Sequence, residues 1–159
     1  MKIDIICVGK VKEAFYRDAA AEYIKRLGRY AAVSVLEVAD EPTPERASDA
    51  EEAAIRQREG ERILKKISAG ARVIALAIDG RGYSSEGFSA HINELALSGC
   101  SHIQFIIGGS LGLSPEVLSA ADEKISFSAM TFPHQLMRVI LLEQIYRAFR
   151  IIKGEPYHK

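Results

Sequence analysis

The chain has 159 residues, with 21 Lys+Arg against 21 Asp+Glu and a sequence pI near 6.9. Its length fits one domain spanning 1–159, and its 48% hydrophobic and 26% charged shares exclude a disordered or fibrous chain. Zero net charge excludes a chain-wide basic excess as a route to nucleic acid, but not a local one.

The charges are in fact lopsided. Residues 1–30 carry 7 basic and 4 acidic groups and residues 134–159 carry 5 and 2, whereas 31–70 carry 6 and 9 and 71–133 carry 3 and 6. Basic ends flank an acidic middle, which is either ordinary scatter or a modest polyanion-facing surface made by the two ends.

In chain order, the apolar run 3–8 reads as a strand ended by Gly9. Phe15, Ala19, Tyr23, Leu27 and Tyr30 recur at helical spacing, which predicts a helix over 13–30. A second strand is expected at 33–39, after which Pro42 and Pro44 break the pattern. The stretch 47–68 is rich in Ala, Glu, Arg and Lys with a thin apolar stripe at Ile55, Ile63, Leu64 and Ile67, and is expected to be helical. A strand at 73–78 closes in Asp79-Gly80, a helix at 86–97 stops at Gly99, and another strand follows at 102–107. Ser114-Pro115-Glu116 is an N-cap, a first-turn Pro and a first-turn acid. A last strand is expected at 124–130, and Pro133 opens a helix reaching about residue 152. Strand then helix, repeated, predicts an α/β domain with a mostly parallel sheet of roughly five to six strands.

Cys7 and Cys100 show no CxxC and no metal-ligand spacing, so both read as reduced packing residues and no metal site is expected. Met1-Lys2-Ile3-Asp4 places an acid where a secretion signal needs an apolar core. No apolar run approaches the ~20 residues that span a bilayer. A cytoplasmic protein with no membrane partner is expected.

In parallel sheets, ligands bind outside the carboxyl ends of the strands. Three strand ends are candidates here. Leu76 to Gly82 holds an acid in a Gly-rich turn, suited to a ribose or base edge, though an Asp-Gly reversal is the plainer reading. Gly108, Gly109 and Gly112 lie between a strand and a capped helix, where backbone N–H groups can approach a ligand. Their spacing matches neither GxGxxG nor GxxxxGK[ST]. The run from Ser126 to His134 mixes small residues with apolar ones that could cover an adenine or a thioether, or simply form a buried strand end.

On a wheel of about 100° per residue, Met137, Leu141, Leu142, Ile145, Ala148, Phe149 and Ile152 form one apolar stripe, and His134 and Arg138 fall inside it. A buried arginine needs an anionic partner, either a carboxylate such as Asp79 or a bound substrate. Leu136, Val139, Ile140 and Tyr146 form a second apolar patch, from which a homodimer is expected. The tail ends in Tyr157-His158-Lys159, which suits stacking on a base and contacting phosphate, although tails are commonly idle.

Several of these runs together resemble one family. They are Ile107 to Ser114, Phe127 to His134 with Arg138, Glu143 to Ala148, and Pro156 to Lys159, with Lys2-Ile3 and Val8-Gly9-Lys10 at the start. In motif and length the chain resembles the RlmH family, S-adenosylmethionine-dependent methyltransferases of the SPOUT superfamily that act on ribosomal RNA. The resemblance implies an α/β fold with a C-terminal trefoil knot. It also implies methylation of N3 of pseudouridine-1915 in 23S ribosomal RNA, on the large subunit or the assembled ribosome. Cofactor contacts carry over to Leu76, Gly108, Phe127, Ser128, Ala129, Met130, Thr131 and Phe132. His134, Arg138, Tyr157 and His158 carry over as residues shaping the target-nucleoside site.

A sulfonium methyl donor needs no metal; the protein must align the nucleophile and exclude water, and the N3 proton must leave. No residue of the chain is assigned as the base. Two other classes stay open on the residues alone. One is a non-catalytic ribosome-associated RNA-binding protein, and the other is a nucleotide-dependent α/β enzyme, for which both phosphate-binding fingerprints are missing.

Overall fold

The computed structural model describes residues 1–157. Among the described residues the strands are β1 (Lys2–Val8), β2 (Ala32–Val38), β3 (Arg72–Gly82), β4 (His102–Ile107) and β5 (Glu123–Ser126). They form one sheet in the order β2-β1-β4-β3-β5, and every pairing is parallel. The helices that return the chain between strands are α1 (Ala14–Leu27), α2 (Asp49–Leu64), α3 (Ser85–Leu97) and α4 (Pro115–Ala120), and α5 (His134–Ile152) closes the fold.

The alternation of side chains along β1 divides the core in two. Ile3, Ile5 and Cys7 face the layer of α1, α3 and α5, where they share a cluster with Phe88, Phe105, Leu141, Leu142 and Ile145. Ile6 and Val8 face the opposite layer, with Ile63 of α2 and Val117 of α4. Local signals seat these helices. Ser48 and Glu51 form a reciprocal capping box at the start of α2, and Ser114 accepts from the Val117 amide ahead of Pro115 in α4.

Three expectations change. The strand expected at 73–78 runs on to Gly82, because Asp79-Gly80 does not reverse the chain. Residues 77–80 instead bulge out of the ladder: Leu76 and Arg81 both pair with Ile125. Gly80 is required there, since a Cβ on it would stand 2.5 Å from the Ile125 carbonyl carbon. The strand expected at 124–130 is only Glu123–Ser126. Beyond it Ser128 turns the chain locally, its hydroxyl accepting from the Met130 amide at 3.0 Å. Tyr146, expected in an outward patch, is 8% exposed and packs against Tyr23, Tyr30 and Tyr157, while Leu136, Val139 and Ile140 remain half-buried.

No helix among the described residues is long and apolar enough to cross a membrane. Cys7 and Cys100 are both free, and burial pushes the Cys7 thiol up to about 12.

Candidate active site

The three strand ends singled out above converge. A cavity of about 480 Å³ opens at the carboxyl ends of β3, β4 and β5, with the first turn of α5 closing one side. That volume is ordinary for a small-molecule site. Leu76, Ala77 and Ile78 enter from the β3 bulge, the glycines from the loop after β4, and Ser126 to Pro133 from the segment after β5. Ala77 and Ile78, the glycines after β4 and the segment 127–133 are the parts of the lining whose backbone lies outside the strand ladders.

The glycine loop is held by a Gly109–Gly112 bridge, the Gly112 amide donating to the Gly109 carbonyl at 3.1 Å. A side chain at Gly108 would stand 2.9 Å from the Gly112 carbonyl carbon, so the loop closes this tightly only with glycine at that position. Behind it sits Glu59 of α2, 5% exposed. Its Oε1 accepts from the Glu41 amide at 3.0 Å, and its Oε2 is buried with no hydrogen-bond partner among the described residues. Burial raises the Glu59 pKa above the ordinary value, partly offset by the Glu41 amide.

Of the residues assigned by resemblance to the cofactor, Leu76, Gly108, Phe127, Ser128, Met130, Thr131 and Phe132 line this one cavity. Ala129 is not among its lining residues. Of the residues assigned to the target nucleoside, His134 lines the cavity and is half-buried. Burial, reinforced by the Arg138 charge, holds its imidazole pKa below the ordinary value.

Arg138 is 1% exposed and turned the other way. Its partner is neither Asp79 nor open space for a ligand. It pairs with Glu37 of β2 at 2.7 Å and donates to the carbonyl oxygens of Val8 and Gly9. Asp79 is held instead by Lys124 at 2.6 Å, and that ammonium keeps its carboxyl below the usual range. The side-chain type identified a buried arginine, but only the sheet order shows that β2 supplies its anion.

Tyr157 does not line the cavity. It packs edge-on against Tyr146 at 5.0 Å, lies under the Arg147 guanidinium at 4.8 Å and donates to Glu143 at 3.1 Å. Burial, with Tyr23 and the Glu143 charge beside it, pushes the phenol up to about 12. The tail is anchored rather than idle, since Glu155 pairs with Arg150 at 2.9 Å and with the Tyr30 hydroxyl. His158 lies outside the described residues. The two basic ends do meet: α1 packs on α5, placing Arg26 and Arg150 over the Tyr146 ring.

Ala77 and Ile78, inside the first strand end singled out from the sequence, line the cavity from the β3 bulge; sequence reading missed Met137, which was assigned to the core stripe but reaches the cavity. A second cavity of about 260 Å³ lies across Phe127 and Phe132, bounded by Tyr83, Ser84, Phe88, Ile140 and Gln144.

Comparison with known proteins matches residues 1–158 to the family described as "Predicted SPOUT methyltransferase". The chain is 65% identical over its whole length to the ribosomal RNA large subunit methyltransferase H of Bifidobacterium adolescentis, and that protein is covered completely. The proteins of the same name from Bifidobacterium animalis subsp. lactis and Listeria monocytogenes are 64% and 57% identical, again over the full length of both chains.

Proposed function

The chain belongs to the SPOUT methyltransferase family, among the ribosomal RNA large subunit methyltransferases H, and from that membership we propose that it methylates N3 of a pseudouridine in 23S ribosomal RNA. The methyl donor is S-adenosylmethionine and the substrate is the large subunit or the assembled ribosome. The observation that carries this reading is the convergence of Leu76, Gly108, Phe127, Ser128, Met130, Thr131 and Phe132 on one cavity at the strand ends. The apolar walls suit an adenine and a thioether, and the glycine loop brings bare backbone to the ligand. When bound, the sulfonium supplies an activated methyl group. The chain's own task is to orient the nucleoside toward it and to exclude water.

The finer parts of the proposal have their own support. The half-buried Leu136, Val139 and Ile140 on α5 suit a homodimer interface. Tyr157 does not line the cavity of its own chain, so we place Tyr157 and His158 at the partner's site. Mixing a tail-deleted chain with a Gly108→Val chain should then restore activity, and verified heterodimers without activity would contradict the exchange. The chain works as one domain, in the cytoplasm, and the return of α5 across the sheet to Val8 and Gly9 is compatible with a trefoil crossing.

Titration calorimetry with S-adenosylmethionine, NAD and ATP tests the cofactor. We expect heat of binding from the first alone; binding of NAD or ATP in its place would favour a nucleotide-dependent enzyme.

A further inference from the structure

We propose that His134 is the general base that removes the N3 proton of the target nucleoside, an inference that rests on the methyltransferase reading above. A nitrogen flanked by two carbonyl groups and carrying a proton has no free electron pair to attack a methyl group. Something in or beside the cavity must take that proton before or during transfer. The lining of the cavity is nearly devoid of groups able to do so. It consists of aliphatic, aromatic, proline and glycine residues, the thioethers of Met130 and Met137, the hydroxyls of Ser110, Ser126, Ser128 and Thr131, and the imidazole of His134. Hydroxyls are far too weak as bases, and Ser126 already donates to the Ser128 carbonyl at 3.1 Å. Within one chain, His134 is therefore the one lining residue, among the described residues, with a side chain that titrates near neutral pH. The partner's tail, proposed above to reach this site, would add a second imidazole, and only His134 is built into the cavity wall.

Its surroundings suit the role. His134 stands at the first position of α5, with its neighbour Pro133 in the wall, so backbone rather than a flexible stem fixes it against the cavity. Nε2 lies 3.5 Å, and Asp40 Cγ 3.7 Å, from the point where a side chain on Gly9 would begin, so the carboxylate and the imidazole flank the same glycine. The charged groups that act on the ring are Arg138 one turn along α5, Lys12 after β1 and Asp40 after β2. Glu37 of β2 neutralises Arg138 from the far side. Burial and the two cations keep the imidazole neutral, and Asp40 opposes them, which favours the imidazolium once a proton arrives.

The step balances without a further reactant. The imidazole nitrogen forms a bond to the N3 proton, and the N–H electron pair stays on N3. That pair bonds to the sulfonium methyl carbon, and the breaking C–S pair returns to sulfur as a neutral thioether. The imidazolium then releases its proton to solvent.

The test compares wild type, His134→Asn and His134→Gln for methyl transfer to ribosomes across pH 6 to 9, with cofactor affinity measured on the same preparations by calorimetry. We expect both variants to bind S-adenosylmethionine within about threefold of wild type, yet to transfer about 10²–10⁴-fold more slowly at pH 7. Their rates should rise about tenfold per pH unit as the imide ionises unaided, whereas wild type levels off. Imidazole NMR signals assigned by difference should show His134 of the wild type neutral at pH 7. Variants within threefold of wild-type rate, a variant profile parallel to wild type, or loss of rate matched by loss of cofactor affinity would each overturn the assignment. Wild type that binds the cofactor but methylates no ribosomal RNA would instead overturn the functional reading, and the base assignment with it.

Discussion

Arg138 on α5 and Glu37 on β2 meet at 2.7 Å, the arginine 1% and the glutamate 35% exposed. The same guanidinium donates to the carbonyl oxygens of Val8 and Gly9, so one side chain ties the start of the last helix to the ends of the two strands at the far edge of the sheet. His134 sits one turn earlier on that helix, in the cavity wall. The pair thus sets the position of a cavity residue without entering the cavity.

Arg138→Met leaves two strand-end carbonyls without donors while the released Glu37 remains free to hydrate. We expect a loss of about 2–4 kcal/mol in urea denaturation. Arg138→Lys should recover only part of it, because one ammonium cannot span a carboxylate and two carbonyls as the planar fork does. Equal stability of all three proteins would contradict the tie.

Gly80→Ala forces a methyl group to within 2.5 Å of the Ile125 backbone. The β3–β5 pairing must shift, and with it Leu76, Ala77 and Ile78 in the cavity wall. A loss of about 1–3 kcal/mol is expected from overpacking of this kind, together with weaker cofactor binding. Gly82→Ala is the control, since nothing lies within 4 Å of its added carbon. It should change stability by no more than about 0.5 kcal/mol.

Glu59 gives a pH dependence with a definite sign. Its folded pKa is raised above 4.5 by burial, so the folded chain holds a proton that the unfolded chain has released. Stability from this group is full below 4.5 and falls as pH rises through the folded value. Glu59→Gln removes the ionised form and keeps an oxygen for the Glu41 amide. The variant should match or exceed wild type by about 1 kcal/mol near pH 7.5. It should show less loss than wild type between pH 4.5 and 7.5 when both are followed by denaturant titration. A variant that loses more stability than wild type over that range would contradict the buried charge.

Much of this was legible in the residues. The strand and helix patterns located the elements, because β1, β3 and β4 carry apolar runs and the helices carry a stripe or a cap, as at Ser114-Pro115, whereas β5, Glu123–Ser126, holds a single buried apolar residue, Ile125. The Gly108–Gly112 loop stood out through its three glycines, and it lines the cavity. One miss is local, the Ser128 turn that ends β5 at Ser126; the others are non-local. Nothing near Asp79-Gly80 in the chain says that Ile125 lies against it, and so a bulged strand read as a turn. Arg138 needed an anion, but its partner is 101 residues away on β2, and only the strand order brings them together. Tyr146 looked outward on the helical wheel until α1 and the tail covered it with Tyr23, Tyr30 and Tyr157.

Methyl transfer to N3 of a pseudouridine at the strand-end cavity has a direct measurement. Ribosomes lacking the modification should be incubated with the protein and S-adenosylmethionine bearing a labelled methyl group, and the large-subunit RNA then digested and resolved by mass spectrometry. One labelled nucleoside is expected, N3-methylpseudouridine, formed on intact ribosomes by wild type and absent with Gly108→Val. Label on another base, label on the ribose, or undiminished product from Gly108→Val would contradict it.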